Sequence, residues 1–103
     1  MLTSKQRAFL RSLAVDADTI LMVGKGGMNE QIIKQADDAL TARELLKGKV
    51  LETAGVPSRE IAEQLVLETN SEVVQVIGAK FVLFRRNPKE PKIELPKARK
   101  GKR

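Results

Sequence analysis

The sequence predicts an α/β fold in which a mixed four-stranded sheet carries three helices. Three observations lead there. Three segments place apolar residues at helical spacing, four short segments are continuous apolar or alternating, and the two kinds interleave as helix, strand, helix, strand, helix, strand, strand. Strand–helix–strand units imply parallel pairing through right-handed crossovers. A closing hairpin adds an antiparallel strand, so the sheet is mixed.

The first helix is expected over residues 4–14. Thr3 followed by Gln6 has capping-box spacing, and Phe9, Leu10, Leu13 and Ala14 recur at core-facing intervals. Ser4, Arg7 and Arg11 share another stripe, and Asp16-Ala17-Asp18 reads as a turn. Residues 19–23, Thr-Ile-Leu-Met-Val, are too short for a helix and fit a strand buried on both faces. Gly24-Lys25-Gly26-Gly27 follows as a tight loop. Asn29 then caps a second helix over residues 30–40, with Ile32, Ile33, Ala36 and Leu40 as its apolar stripe.

Residues 45–51 alternate Lys47 and Lys49 with Leu46, Gly48 and Val50, the pattern of a half-exposed strand. Gly48 marks a bulge or a close backbone approach there. Pro57 or Ser58 opens a third helix whose buried side is Ile61, Ala62 and Leu65, and Thr69-Asn70-Ser71 ends it. Residues 72–77 and 81–84 are rich in Val, Ile and Phe, and Gly78-Ala79-Lys80 joins them as a hairpin. Residues 1–86 therefore read as one domain. Residues 87–103 hold three prolines, seven basic and two acidic residues, and read as an extended, solvated, flexible tail.

Composition narrows the chemistry. The chain of 103 residues has no Cys, His, Trp or Tyr, so it can build no disulfide, no Cys or His zinc site, and no Ser-His or Cys-His catalytic pair. Asp37 and Asp38 are adjacent on a helix and point apart, so they make a poor metal pair, and Asp16 and Asp18 read as turn residues. The expectation is a protein that is not an enzyme and holds no metal or small-molecule cofactor. No apolar run exceeds four residues, the length of residues 20–23, far below the ~20 residues of a membrane span. A monomer in the cytoplasm, away from membranes, is expected. Nineteen basic residues against thirteen acidic ones give a net charge of +6, which makes a polyanion the first partner to consider.

The glycine loop sits between a buried strand and a helix N-terminus, where Cβ-free backbone and the helix dipole suit an anion, and Lys25 adds a positive charge. It is not a Walker A loop, because Thr19 stands where the first glycine belongs and Gly26 follows the lysine. Nor is it a dinucleotide fingerprint, since Asn29 takes the last glycine's place. It does match the Gly-x-x-Gly with which KH domains clamp a nucleic-acid backbone, although KH domains place theirs between two helices. A plain strand-to-helix turn is the alternative reading of the same residues.

Five segments together are more specific. They are Leu2-Thr3-Ser4-Lys5-Gln6-Arg7-Ala8-Phe9-Leu10-Arg11, Val23-Gly24-Lys25-Gly26-Gly27, Glu44-Leu45-Leu46-Lys47-Gly48-Lys49-Val50, Gln75-Val76-Ile77-Gly78 and Phe81-Val82-Leu83-Phe84-Arg85. In this order and spacing the chain resembles the CRM domain, the chloroplast RNA splicing and ribosome maturation module, in its stand-alone bacterial YhbY form. The resemblance covers residues 2–86. Gly48 stands where that family usually has valine, and Phe84 where it usually has tyrosine. The resemblance implies a fold similar to the C-terminal domain of translation initiation factor three. It also implies binding to rRNA in precursors of the large ribosomal subunit, in support of ribosome assembly. It would place RNA contacts at Gly24, Lys25, Gly26 and Gly27 and at the nearby basic residues Lys5, Arg7 and Arg11. From the residues themselves, Lys47 and Lys49 on one strand face join the candidate set. With Phe9, Phe81 and Phe84 all in apolar patterns, no aromatic platform is expected, so recognition would rest on phosphates and RNA shape. The competing reading is a protein–protein adaptor whose basic tail docks an acidic partner and whose glycine loop is purely structural.

Overall fold

The computed structural model describes residues 2–96. Its elements run α1 (Ser4–Asp16), β1 (Leu21–Val23), α2 (Glu30–Arg43), β2 (Leu45–Val50), a 3-10 turn (Glu52–Ala54), α3 (Ser58–Thr69), β3 (Glu72–Ile77) and β4 (Lys80–Phe84). Strand order is β1-β2-β4-β3. β1 and β2 are parallel across the α2 crossover, and β4 pairs antiparallel with both β2 and β3. The expected mixed four-stranded sheet with three helices is what the chain forms.

Each helix starts where local chemistry starts it. Thr3 and Gln6 form the capping box: the Gln6 amide donates to Thr3 Oγ1 and the Thr3 amide to Gln6 Oε1, both at 3.1 Å. Asn29 Oδ1 accepts from the Ile32 amide at 2.9 Å and caps α2. α1 and α2 both run beyond their expected ends, to Asp16 and Arg43. No proline or glycine stops them there.

The sheet has a core on each side. On one face α2 and α3 pack Ile32, Ala36, Leu40, Ile61, Ala62 and Leu65 against Leu21, Val23, Leu46, Val50, Phe81 and Leu83. On the other face α1 places Leu10 and Ala14, with Leu2, against Val74, Val82 and Phe84. Gly48 belongs to the first core, and its role is close approach: a Cβ there would run into the Phe81 ring at Cζ. The sheet's register shift falls instead in β3, between Val73 and Gln75.

Three expectations need correction. β1 is an edge strand buried on one face only, with Met22 54% exposed, because α1 ends before it can cover that side. α1 buries only Leu10 and Ala14; Phe9 is half-buried and Leu13 is 37% exposed. The stretch read as a solvated tail is docked through its described part. Ile93 and Leu95 pack on the α1 core, and the Gln6 side chain donates to the Pro96 carbonyl at 3.0 Å. Residues 97–103, the rest of that expected tail, lie outside the described residues.

Candidate nucleic-acid interface

The glycine loop is a closed turn. The Gly27 amide donates to the Gly24 carbonyl at 2.9 Å, and Gly26, third of the four, has φ 95°, the signature of a type II turn. Nothing lies within 4 Å of where a Gly26 Cβ would be, so glycine is needed there for backbone conformation alone. Gly24 is different: a Cβ would meet Leu51 Cδ1 at 3.3 Å, a tight contact with the residue that caps the 3-10 turn, which that side chain would have to yield slightly to admit. Lys25 stands exposed at the corner, with no acidic partner among the described residues.

Parallel pairing sets what surrounds the loop. Val23 is opposite Val50, the Leu51 amide donates to the Val23 carbonyl, and the Val50 amide donates to Ala79 in the hairpin turn. The glycine loop, the 3-10 turn and the hairpin turn therefore share one end of the sheet. The start of α1 lies at the other end, where the Leu2 amide donates to Glu72 Oε1 at 2.9 Å. Lys5 and Arg7 are thus separated from the loop by about the length of β2, roughly 20 Å at ~3.3 Å per residue. Arg11 lies between, beside Lys47.

Lys47 and Lys49 point to the α1 side because Leu46, Gly48 and Val50 are buried on the other. Their settings differ. The Lys47 ammonium donates to the carbonyls of Ala14 (2.9 Å) and Ala17 (3.4 Å), closing the C-terminal end of α1 where the dipole favours a cation. One of its three donors remains. Lys49 has no such partner among the described residues, and Lys80 lies directly opposite it on β4. Sequence reasoning missed Lys80 by assigning it to the turn. Two-residue hairpin spacing, with Gly78 at φ 56°, makes it the first residue of the strand instead.

Charge is sorted by layer. α1, β2 and β4 together carry six basic residues and one acidic one. α2 and α3 on the opposite face carry six acidic and three basic residues. Arg85 belongs to that second layer: its guanidinium donates to Asp37 Oδ1 (2.6 Å), the Thr69 carbonyl (2.8 Å) and Thr41 Oγ1 (2.7 Å), tying β4 to α2 and α3. Asp37 is thereby taken up in an ion pair, and no group of three acidic residues that could hold a metal occurs among the described residues.

The other unforeseen feature is Glu44. It is fully buried, adopts φ 65° at the end of α2, and accepts the amides of Asn87 (2.6 Å), Lys92 (2.7 Å) and Ile93 (2.7 Å). Burial alone would raise its pKa. The three amides and the Arg86 guanidinium outweigh that and hold it below the ordinary value of 4.5. This carboxylate is what folds residues 87–96 back onto the body. Among the described residues, no helix is long and apolar enough to cross a membrane.

The fold and its charge layout define a small α/β module with one basic face and a glycine turn at the edge of that face. Comparison with known proteins places it further. The sequence model of the CRS1/YhbY (CRM) domain matches residues 2–85, and the chain belongs to that family. It is 46% identical over 96 residues to a Bacillus subtilis protein named "Probable RNA-binding protein YqeI", covering 93% of this chain and all of that one. It is 35% identical to a Haemophilus influenzae protein named as RNA-binding, covering 93% of this chain and 96% of that one. The solution structure of the Staphylococcus aureus protein SAV1595 superposes with a TM-score of 0.74 at 47% identity, covering 93% of this chain and all of that one.

Proposed function

We propose that this protein binds RNA through its α1-side face, and that it acts on precursors of the large ribosomal subunit during assembly. The observation that carries the reading is the sorting of charge: a polyanion meets cations on α1, β2 and β4, and repulsion from α2 and α3. Lys5, Arg7 and Arg11 would hold phosphates along α1, with Lys49 and the remaining donor of Lys47 on the sheet. Gly24 to Gly27 would bring backbone and Lys25 against the strand at the edge. The relatives' names support RNA as the partner, and the rRNA assignment follows the ribosome maturation role that the CRM resemblance implies.

If about four phosphates are neutralised on single-stranded RNA, log K should fall against log salt with a slope of about −3. Filter binding across a salt series tests this, and a slope near zero defeats the electrostatic reading. Sedimentation of cell extract through sucrose tests the assembly role. Migration with large-subunit precursors that nuclease abolishes is expected. Nuclease-resistant association would favour a protein adaptor.

A further inference from the structure

α1 stops before the end of the sheet, and what it leaves uncovered is organised. Met22, Lys49, Lys80 and Ile77 stand side by side across all four strands, by the pairings Met22–Lys49, Lys49–Lys80 and Ile77–Lys80. Met22 is 54% and Ile77 62% exposed. Next to this row lies a groove of about 170 Å³, walled by Arg11 and Val15 of α1 and by Lys47, Gln75, Ile77 and Lys80 of the sheet. Val15 is 75% exposed. Together with Ala14 and Val82 it gives the groove an apolar lining. Exposed valine and isoleucine side chains gathered around one groove, rather than scattered, mark a contact surface.

The lining chooses the occupant. Arg11, Lys47 and Lys80 contribute positive charge, and no acidic residue lines the groove. The occupant is therefore anionic around an apolar centre. At about 170 Å³ the space is well below the ~300 Å³ of a drug-sized pocket and suits a single ring system. The Gln75 side chain has no partner among the described residues, and its amide offers both a donor and acceptors to a ring edge. A planar heterocycle flanked by phosphates meets all of these conditions.

We infer that the groove receives one unpaired base of an RNA strand, with the neighbouring phosphates on Arg11, Lys49 and Lys80. This rests on the RNA-binding reading and adds to it a preference for unpaired over fully paired RNA. A base held in a duplex must first give up its pairing and stacking to enter the groove, at a cost of a few kcal/mol that an unpaired base largely avoids.

The test uses two labelled RNA hairpins with the same stem, one fully paired and one carrying a single unpaired adenosine, titrated with the full chain by fluorescence anisotropy. The wild type should bind the bulged hairpin about tenfold more tightly, as expected for burying a small apolar ring face. In the double variant Val15→Ser with Ile77→Ser, that preference should disappear. Affinity for the paired hairpin, its salt slope and the melting temperature should stay as in the wild type, since both side chains are exposed. Equal wild-type affinity for the two hairpins overturns the inference, as does a preference that survives the double substitution, the result expected of a groove that serves a protein partner. Failure to bind either hairpin overturns the RNA-binding reading as well, so the two failures are distinguishable.

Discussion

Replacing Glu44 by Gln should loosen the C-terminal segment and destabilise the whole domain. The carboxylate uses Oε2 for the Asn87 amide and Oε1 for those of Lys92 and Ile93. A carboxamide has one oxygen. In its better orientation it keeps two donors and turns an NH2 group toward the third. An unsatisfied buried donor costs about 1–3 kcal/mol, and the two bonds that remain lose their charge assistance, which roughly halves them. A net loss of about 2–3 kcal/mol follows, and for a domain of this size that lowers Tm by about 10–20 °C. Thermal melts followed by circular dichroism measure it. The pH dependence identifies the cause. Glu44 titrates below its ordinary value of 4.5 in the folded state, so its stabilisation is complete above 4.5 and is lost as pH falls through the lowered folded value. The gap between wild type and variant should hold from pH 7 to about 5 and close in more acidic solution. Tm values within a degree at pH 7, or a gap that does not change with pH, would refute the reasoning.

Three further outcomes are expected. Gly48→Ala should cost about 1–3 kcal/mol by forcing the buried Phe81 ring aside, and much less in a Phe81→Leu background, as a double-mutant cycle of denaturant melts would read. Lys25→Glu should weaken RNA binding and reduce the salt slope by about 1 while leaving Tm unchanged; unchanged affinity would remove the glycine loop from the interface. Arg85→Ala should lower stability by about 1–2 kcal/mol, since its guanidinium, with 22% of the side chain exposed, holds the Asp37 and Thr69 carbonyls and the Asp37 and Thr41 side chains across two helices, yet leave RNA affinity as it is.

The order of elements was legible because its signals are local. Thr3 with Gln6, Asn29 before Ile32, and the β-branched hairpin each act within a few residues; both caps formed as read, and the hairpin formed with Lys80 in its strand rather than in its turn. What escaped was long-range. Nothing near Glu44 in the sequence shows that it will bind amides 43 to 49 residues away. A lysine in an alternating strand looks the same whether it faces solvent or closes a helix 33 residues upstream, as Lys47 does. The candidate cations were legible as residue types, and even their strand face followed from alternation. Their distances from the glycine loop depend on how α1 crosses the sheet, and periodicity carries no information about that. Met22 shows the same limit: a continuous apolar run says buried, but where α1 ends decides that one face stays open.

The docked segment also changes where the charge of this protein sits. Residues 1–86 hold twelve basic and eleven acidic side chains, so dividing the chain there assigns +5 of the +6 to a tail of seventeen residues. But residues 87–96 contain Lys89 and Lys92 against Glu90 and Glu94, no net charge, and they are the part pinned by Glu44 and packed through Ile93 and Leu95. The whole +5 falls in residues 97–103, which have five basic residues and no acidic one. The segment pinned by Glu44 and the net positive charge therefore lie in adjacent stretches of the sequence. A chain ending at 96 keeps the segment pinned by Glu44 and should bind RNA more weakly with a flatter salt slope, because five cations are gone. A chain ending at 86 should lose stability as well, since Glu44 is left buried without its donors and Leu2, Leu10 and Phe84 lose their cover. Equal melting temperatures for the two truncations would mean that the segment beside Glu44 contributes nothing to the fold, and the division at 86 would stand after all.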